Sequence, residues 1–386
     1  MSKPKLIRIT TVPLSLEKLL EGQLGYMNRF FDITAVSSEE ERLRRYGERE
    51  GVNTFYVDLT REITPFKDLR AVFTLFRYLK RNKPEIVHTH TPKAGIVGMM
   101  AAYFAGVPIR LHTVAGLPLL EAKGFKRLLL NFVERLTYRF ATHVYPNSKG
   151  LKNIIIEQGF TSSNKLKVIG DGSSNGIDTQ FFSKAHFSEE QIAQEKALLG
   201  IPDSDFVFVF VGRIVKDKGV HEMIEAFSLL QKKYTNTTLL LVGPFEDDLD
   251  PISESTKKIL NKHPKILTTG YREEVRPFYA LSNALVFPSY REGFPNVVLQ
   301  AGAMELPAVV SNINGCNEII EHLTNGLIVE VKNSNELKKA MEKLLHDKTL
   351  FTHMKDHARP HILGRYERHA VWEALHAEYD KQLSGI

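Results

Sequence analysis

One cysteine, one tryptophan and no apolar run of membrane-spanning length set the first limits on this chain of 386 residues. Cys316 alone can close no internal disulfide and cannot build a cysteine-based zinc cage, which fits a reducing compartment. The longest uncharged run lies between Lys93 and Arg110. It is interrupted by Gly95, Gly98, Gly106 and Pro108 and falls short of the roughly 20 residues that cross a bilayer, so it reads as a buried helix followed by a turn. Met1 to Ile9 is basic, but Arg8 cuts the apolar stretch before it can serve as the core of a signal peptide. Neither a tandem repeat nor a low-complexity tract is visible, which removes solenoids and propellers.

What is present is the mixture of a soluble globular protein, 43% apolar and 25% charged, in a length that suggests two domains. The net charge of +6 is unevenly spread. Residues 61–140 carry 14 Lys and Arg against 5 Asp and Glu, and the rest of the chain is slightly acidic. Such a field suits a phosphorylated substrate, an anionic membrane surface or nucleic acid. No aromatic-interleaved basic motif accompanies it, so nucleic acid is not expected as a partner.

Short apolar runs alternate with helical periodicity along the whole chain. Leu6–Val12, Asp32–Ser37, Thr54–Asp58, Ile86–His90, Arg110–Val114 and His143–Pro146 read as one series of strands. A second series follows at Phe206–Val211, Thr238–Val242, Lys265–Thr269, Ala284–Pro288, Ala308–Ser311 and Gly326–Val329. Strands separated by helices imply parallel sheets, so the expected fold class is α/β with two Rossmann-like domains. The turn-rich segment Gly170–Thr179 separates the series, which predicts an N-terminal domain over 1–175 and a C-terminal domain over 176–364. A last helix, about 365–386 and carrying Trp372, Leu375 and Tyr379, is free to pack back on the first domain.

Two loops are candidates for chemistry. After the run Phe206–Val211 comes Gly212-Arg213-Ile-Val-Lys-Asp-Lys218-Gly219, at the carboxyl end of a strand, where open parallel sheets bind ligands. Gly212 admits close backbone approach, Arg213 can grip two phosphate oxygens and Lys218 adds a point charge, a set suited to a diphosphate. After Ala284–Pro288 comes Glu292-Gly293-Phe294-Pro295-Asn296-Val297, then Gln300 one turn further on. Pro295 suits a helix's first turn, and the free N–H groups at that start favour an anion. Glu292 can hold sugar hydroxyls and Gln300 can hydrogen-bond a ribose.

Gly212-Arg213 with Lys218, Glu292-Gly293-Phe294-Pro295, Asn314-Gly315-Cys316-Asn317-Glu318 and Asn325-Gly326-Leu327, in this order, resemble the retaining family-4 glycosyltransferases of the GT-B fold. The closest in character are bacterial enzymes that build capsule, O-antigen or N-glycan precursors. The resemblance runs from about residue 6 to 345 and implies two Rossmann-like domains facing across a cleft. It further implies transfer of a sugar, with retention, from a nucleotide diphosphate sugar, UDP favoured, to a glycan acceptor on a polyprenyl diphosphate.

Within it, Arg213 and Lys218 match the cations that neutralise the donor diphosphate. Glu292 matches the first acid of an E-x7-E motif, and the N–H groups around Phe294, Asn296 and Val297 assist at the phosphate. Gln300 stands where the family has its second acid, on the ribose, and keeps an acceptor oxygen without the charge. His112, read as lying just past a strand, resembles the histidine that touches the donor sugar. No metal or other cofactor is implied. The loop Thr11–Leu16 lacks the family's usual glycine pair, and with Gln300 this leaves a non-catalytic nucleotide-sugar-binding subunit as the alternative.

Three further features have ordinary readings. His88 and His90 fall on one face of a strand, in packing or at the acceptor. Gly172–Gly176 matches G-x-S-x-G, and Gly170-Asp171-Gly172 begins a dinucleotide fingerprint, but neither precedes a helix, so hydrolase and nicotinamide chemistry are not expected. Phe125–Phe140 is amphipathic, with Phe125, Leu128, Leu129, Phe132 and Leu136 as a stripe whose usual place is a core. Its lysines and arginines suit anionic lipid, and the resemblance to membrane-docked family-4 enzymes implies a cytoplasmic protein at the cytoplasmic face of the inner membrane.

Overall fold

The computed structural model describes residues 3–385 except 61, 63, 118, 120, 121 and 247–249. The chain divides into two units, one made of 1–176 together with 368–386, the other of 177–367. The N-terminal unit is built on β1 (Lys5–Ile9), β2 (Asp32–Ser37), β3 (Asn53–Tyr56), β4 (Ile86–His90), β5 (Ile109–Val114) and β6 (His143–Pro146). They form one parallel sheet in the order β3-β2-β1-β4-β5-β6.

Side chains alternate across this sheet, as a two-residue period requires. Along β1, Ile7 and Ile9 enter the core cluster shared with Leu75, Leu79 and Val97 of the helices Pro65–Asn82 and Pro92–Ala105. Leu6 points the other way, into a cluster with Leu16, Leu20, Trp372, Leu375 and Tyr379. The helix Arg368–Leu383 therefore completes the core of the N-terminal unit on that second face. On the same face Arg8 is fully buried. Its guanidinium donates to Tyr379 Oη at 2.6 Å and Gln23 Oε1 at 2.8 Å, and lies 2.7 Å from His90 Nε2.

Several strand ends differ from the sequence expectation by one or two residues, and two boundaries differ by three. The first strand ends at Ile9 rather than Val12, because the chain turns away there and Pro13 opens a helix at its first position. The last helix begins at Arg368 rather than 365, since the preceding helix runs from Lys348 to Tyr366 and Glu367 is extended, with ψ 135°.

The C-terminal unit repeats the plan with β7 (Phe206–Val211), β8 (Thr237–Val242), β9 (Ile266–Thr268), β10 (Ala284–Phe287), β11 (Ala308–Ser311) and β12 (Gly326–Val329). Their order is β12-β11-β10-β7-β8-β9, again all parallel. The uninterrupted apolar strand Phe206–Val211 lies at the centre, buried on both faces as central parallel strands are. Within this unit the strand order reverses between β7 and β10, which are neighbours although β8 and β9 intervene in the chain. Loops leaving their carboxyl ends diverge, and the crevice so opened is the expected ligand position.

Candidate active site

Both loops singled out from the sequence leave that switch point, one after β7 and one after β10. Backbone packing fixes the first. A Cβ on Gly243, in the loop after β8, would stand 1.9 Å from Gly212 O, so the two loops cross at a distance only glycine permits. Beyond the crossing they stay paired through a bridge between Ile214 and Phe245, with Ile214 N–H on Pro244 O at 2.8 Å. This holds Arg213 at the rim, where its guanidinium bonds Glu246 Oε2 at 2.5 Å.

Lys218 and Glu292 meet across the two loops, Nζ to Oε1 at 2.5 Å, with both side chains about one-seventh exposed. Ser289, fully buried, donates to the same carboxylate oxygen at 2.9 Å. Asp217 ties the loops at a second point. Its carbonyl accepts from Tyr290 N–H at 2.8 Å and its carboxylate pairs with Arg291 at 2.9 Å. The turn at Glu292-Gly293 is fixed from a third side, by Asn314, whose Nδ2 donates to Glu292 O. Gly315 packs so closely there that a Cβ would stand 2.5 Å from Gly293 O.

Phe294 is buried and packs 5.4 Å from Tyr366, ring to ring, which anchors the approach to the helix Asn296–Ala303. Pro295 caps that helix in an extended conformation, Asn296 is exposed at its first position and Val297 is half-buried. Gln300 is half-buried one turn on, and its Oε1 accepts a hydrogen bond from Tyr279 Oη at 3.1 Å. The structure thus brings Lys218 to Glu292 and to the turn that opens this helix, while Gly212 and Arg213 stand on the same loop as Lys218 and face the loop after β8. Two cations, a carboxylate and free helix N–H groups around one crevice make a site for an anion attached to a polyol. Among the described residues, no group of three or more His, Cys, Asp or Glu is arranged to hold a metal ion.

Sequence reading did not find Asp217, Glu246, Tyr279 or Ser289, nor a role for Asn314. Their part depends on which loops the sheet order brings side by side, and only a polar residue next to a turn hinted at it.

In the N-terminal unit His112 lies inside β5, not past its end, and is buried. Its Nδ1 is 2.8 Å from Thr89 Oγ1, and the ring lies beneath Gly95, where a Cβ would stand 2.5 Å from Cε1. Burial holds this imidazole down at about 4, so it is neutral near pH 7. His88 and His90 do share a face, stacked with centroids 4.6 Å apart, and belong to the buried Arg8 and Tyr379 network.

Two family models cover most of the chain. The model for glycosyl transferases group 1 matches 191–361, and the one for the glycosyl transferase 4-like domain matches 23–172. The chain is also 32% identical, over 98% of its own length and 98% of the relative's, to the capsular polysaccharide biosynthesis glycosyltransferase CapM of Staphylococcus aureus. It is a glycosyltransferase of this family.

The transferase is further 30% identical to a UDP-Gal:alpha-D-GlcNAc-diphosphoundecaprenol alpha-1,3-galactosyltransferase of Escherichia coli, over 84% of this chain and 82% of that one. Its fold matches that of Anabaena Alr3699/HepE, solved in complex with UDP and glucose, at a TM-score of 0.81 and 18% identity over 99% of this chain and 100% of that one. The two Rossmann-like units of the transferase are those of the GT-B fold.

Proposed function

We propose that this glycosyltransferase moves a sugar from a nucleotide diphosphate donor, a UDP-sugar, to a glycan carried on a polyprenyl diphosphate, with retention, in surface polysaccharide synthesis. The observation that carries the reading is the pairing of Lys218 with Glu292 between the loops after β7 and β10, with Arg213 on the same loop as Lys218. In the free protein each cation is matched by a carboxylate. An arriving diphosphate takes over Lys218 and Arg213, which releases Glu292 to accept hydrogen bonds from the donor sugar. Both cations keep their place through the exchange, because the loops beneath them are bonded to each other.

When the anomeric C–O bond breaks, charge grows on the departing diphosphate. Lys218, Arg213 and the N–H groups opening the helix Asn296–Ala303 stabilise it where it forms. The acceptor oxygen bonds to the anomeric carbon on the face the diphosphate leaves, and its proton passes to a phosphate oxygen of the leaving group. No protein nucleophile takes part. His112, beneath Gly95, serves the packing of β5, and Glu292 positions the sugar.

The relative from Escherichia supports the acceptor class by the diphosphoundecaprenol in its name, and the one from Staphylococcus supports surface polysaccharide synthesis by the capsular polysaccharide in its own. A surface of the N-terminal unit fits an acceptor held at a membrane. The stripe expected in a core is largely exposed. Phe125, Leu128 and Phe132 are 80%, 66% and 61% exposed, because the helix Gly124–Phe140 turns Glu134, Thr137 and Tyr138 inward instead. The helix Pro65–Asn82 presents Phe66, Leu69 and Phe73 likewise, and Pro92–Ala105 packs against both helices. Each runs back from the carboxyl edge of the sheet, so their exposed apolar starts gather at that edge. Lys67, Arg70, Arg77, Lys126 and Arg135 are exposed on the same two helices. Apolar groups among basic ones suit the surface of an anionic bilayer, at the cytoplasmic face of the inner membrane. Among the described residues no helix is long and apolar enough to cross it.

The test is a melting scan with UDP, GDP, ADP, CMP and TDP, without added metal and again with EDTA. A ligand at 100 times its Kd adds about 2.7 kcal/mol of stability. Stabilisation by UDP in wild type, lost in Arg213→Ala, is the expected result; indifference to every nucleotide overturns the donor assignment.

A further inference from the structure

Arg8 dictates where two buried histidines carry their protons. A guanidinium only donates, so His90 Nε2, 2.7 Å away, accepts from it, and so does Tyr379 Oη at 2.6 Å. Burial holds His88 and His90 well below the usual imidazole range, so each ring is neutral and keeps one N–H. With Nε2 of His90 accepting, that N–H is on Nδ1. Tyr379 is fully buried, and among the described residues its hydroxyl has one acceptor, His88 Nδ1 at 2.6 Å. His88 is therefore protonated on Nε2 and donates to Thr113 Oγ1 at 2.8 Å. The proton of the Thr113 hydroxyl then has to point elsewhere.

Two donors thus leave this network with no acceptor among the described residues, the Thr113 hydroxyl and His90 Nδ1–H. Both residues line the same cavity at the carboxyl ends of β4, β5 and β6, together with Asn147, Ser173 and, from the helix Arg368–Leu383, Val371 and Leu375. Asn147 brings the complementary group. Its Nδ2 stands 3.5 Å from Ser174 Oγ, and its Oδ1 is buried with no donor among the described residues. The cavity measures about 20 Å³. That exceeds the roughly 10–15 Å³ one water needs and is too small for a sugar or a phosphate.

Two donors and one acceptor suit a neutral molecule that both accepts and donates. A halide would meet the Asn147 carbonyl oxygen, and a cation would meet both donors beside the Arg8 charge. We propose that this cavity is a built water site, in which one water accepts from His90 Nδ1–H and Thr113 Oγ1–H and donates to Asn147 Oδ1. Three hydrogen bonds are the usual number for a buried water, and here they join the ends of three neighbouring strands. Arg8 touches no water and acts through the tautomer it imposes on His90.

A high-resolution crystal structure of the full chain, grown with bromide as the halide, tests the occupant. The expected result is a density peak within hydrogen-bond distance of His90 Nδ1, Thr113 Oγ1 and Asn147 Oδ1 that carries no bromine anomalous signal. Absence of any peak overturns the site, and a bromide peak overturns water in favour of an anion. In solution, the imidazole nitrogen shifts of His90 should place its proton on Nδ1, and that proton should show cross-relaxation with water. A proton on Nε2 would overturn the part assigned to Arg8.

Asn147→Leu removes the acceptor at similar volume and leaves the Arg8 network intact. The water peak and the cross-relaxation should then be lost while the His90 proton stays on Nδ1. Survival of the peak in this variant would overturn the bond to Asn147. If Asn147→Leu does not fold, the wild-type crystal and the His90 shifts decide the occupant and the tautomer by themselves.

Discussion

Lys218 and Glu292 hold each other in the free protein, 2.5 Å apart, and this separates their effects in variants. On the proposed reading Lys218→Ala removes one charge contact to the diphosphate and leaves Glu292 with Ser289 as its hydrogen-bond donor and no cation, so turnover should fall at least about tenfold, with UDP affinity falling too. Glu292→Gln acts differently. It releases Lys218 from its competitor, so UDP alone should bind at least as tightly as to wild type, while sugar transfer drops by at least about tenfold. Parallel calorimetry and turnover measurements check the split, and a matched loss of UDP binding in Glu292→Gln would place that carboxylate on the nucleotide. These residues were legible because charge and turn formers coincide after two apolar runs. Glu246, Asp217 and Tyr279 were not, since nothing local marks Glu246 as the partner of a residue 33 positions earlier.

At the level of elements, the helix Gly124–Phe140 carries the most informative conflict. Its apolar stripe faces outward and its inner face holds Glu134, whose carboxyl burial pushes up to about 7, with Tyr138 acting the other way. The folded protein thus retains a proton that the unfolded chain has lost, so this group's contribution to stability falls as pH rises from about 4.5 to about 7 and is level above that. Glu134→Gln should abolish that fall and stabilise the protein at pH 8 by up to roughly 3 kcal/mol, read from melting curves at pH 5 and pH 8. His112 has the opposite sign. Its folded value of about 4 lies below the unfolded one, so its contribution is present above about 6.5 and lost on acidification towards 4. His112→Gln should flatten the acid side only. For the outer face of the same helix, Phe125→Ser with Phe132→Ser should cut binding to anionic vesicles several-fold while leaving the affinity for UDP unchanged. Added salt should weaken wild-type binding to the same vesicles, and vesicles of neutral lipid should bind poorly throughout.

Across the whole molecule, the two units fold around separate cores, yet the chain returns to the first after completing the second. Ending the protein at Glu367 would remove Trp372, Leu375 and Tyr379 from the core of the N-terminal unit, each fully or nearly fully buried. At about 1.5–3 kcal/mol for each large apolar side chain, the loss is roughly 5 kcal/mol or more, comparable with the stability of a whole domain. It would also strip Arg8 of the Tyr379 hydroxyl. The truncated protein is expected to show rapid proteolysis within 1–176 while 177–367 stays resistant, and equal resistance of both units would show that the last helix adds little.

Sequence by itself determined the strands, their parallel sense and the loops that carry charge, because each depends on short-range periodicity and turn chemistry. The uninterrupted apolar run Phe206–Val211 could only be a strand buried on both faces, and Gly212-Arg213 had to follow its carboxyl end. Tertiary structure decided what those local signals left degenerate. An amphipathic stripe looks the same whether it meets a core or a solvent, and only the packing of Glu134 and Tyr138 inward exposed Phe125 and Phe132. A histidine at the edge of a predicted strand reads the same exposed or buried, and only the close approach of Gly95 covers His112. Which carboxylate faces Arg213 follows from the pairing of the loops after β7 and β8, and which one faces Lys218 from a strand order that reverses between β7 and β10, contacts between segments too far apart in the chain for any local pattern to record.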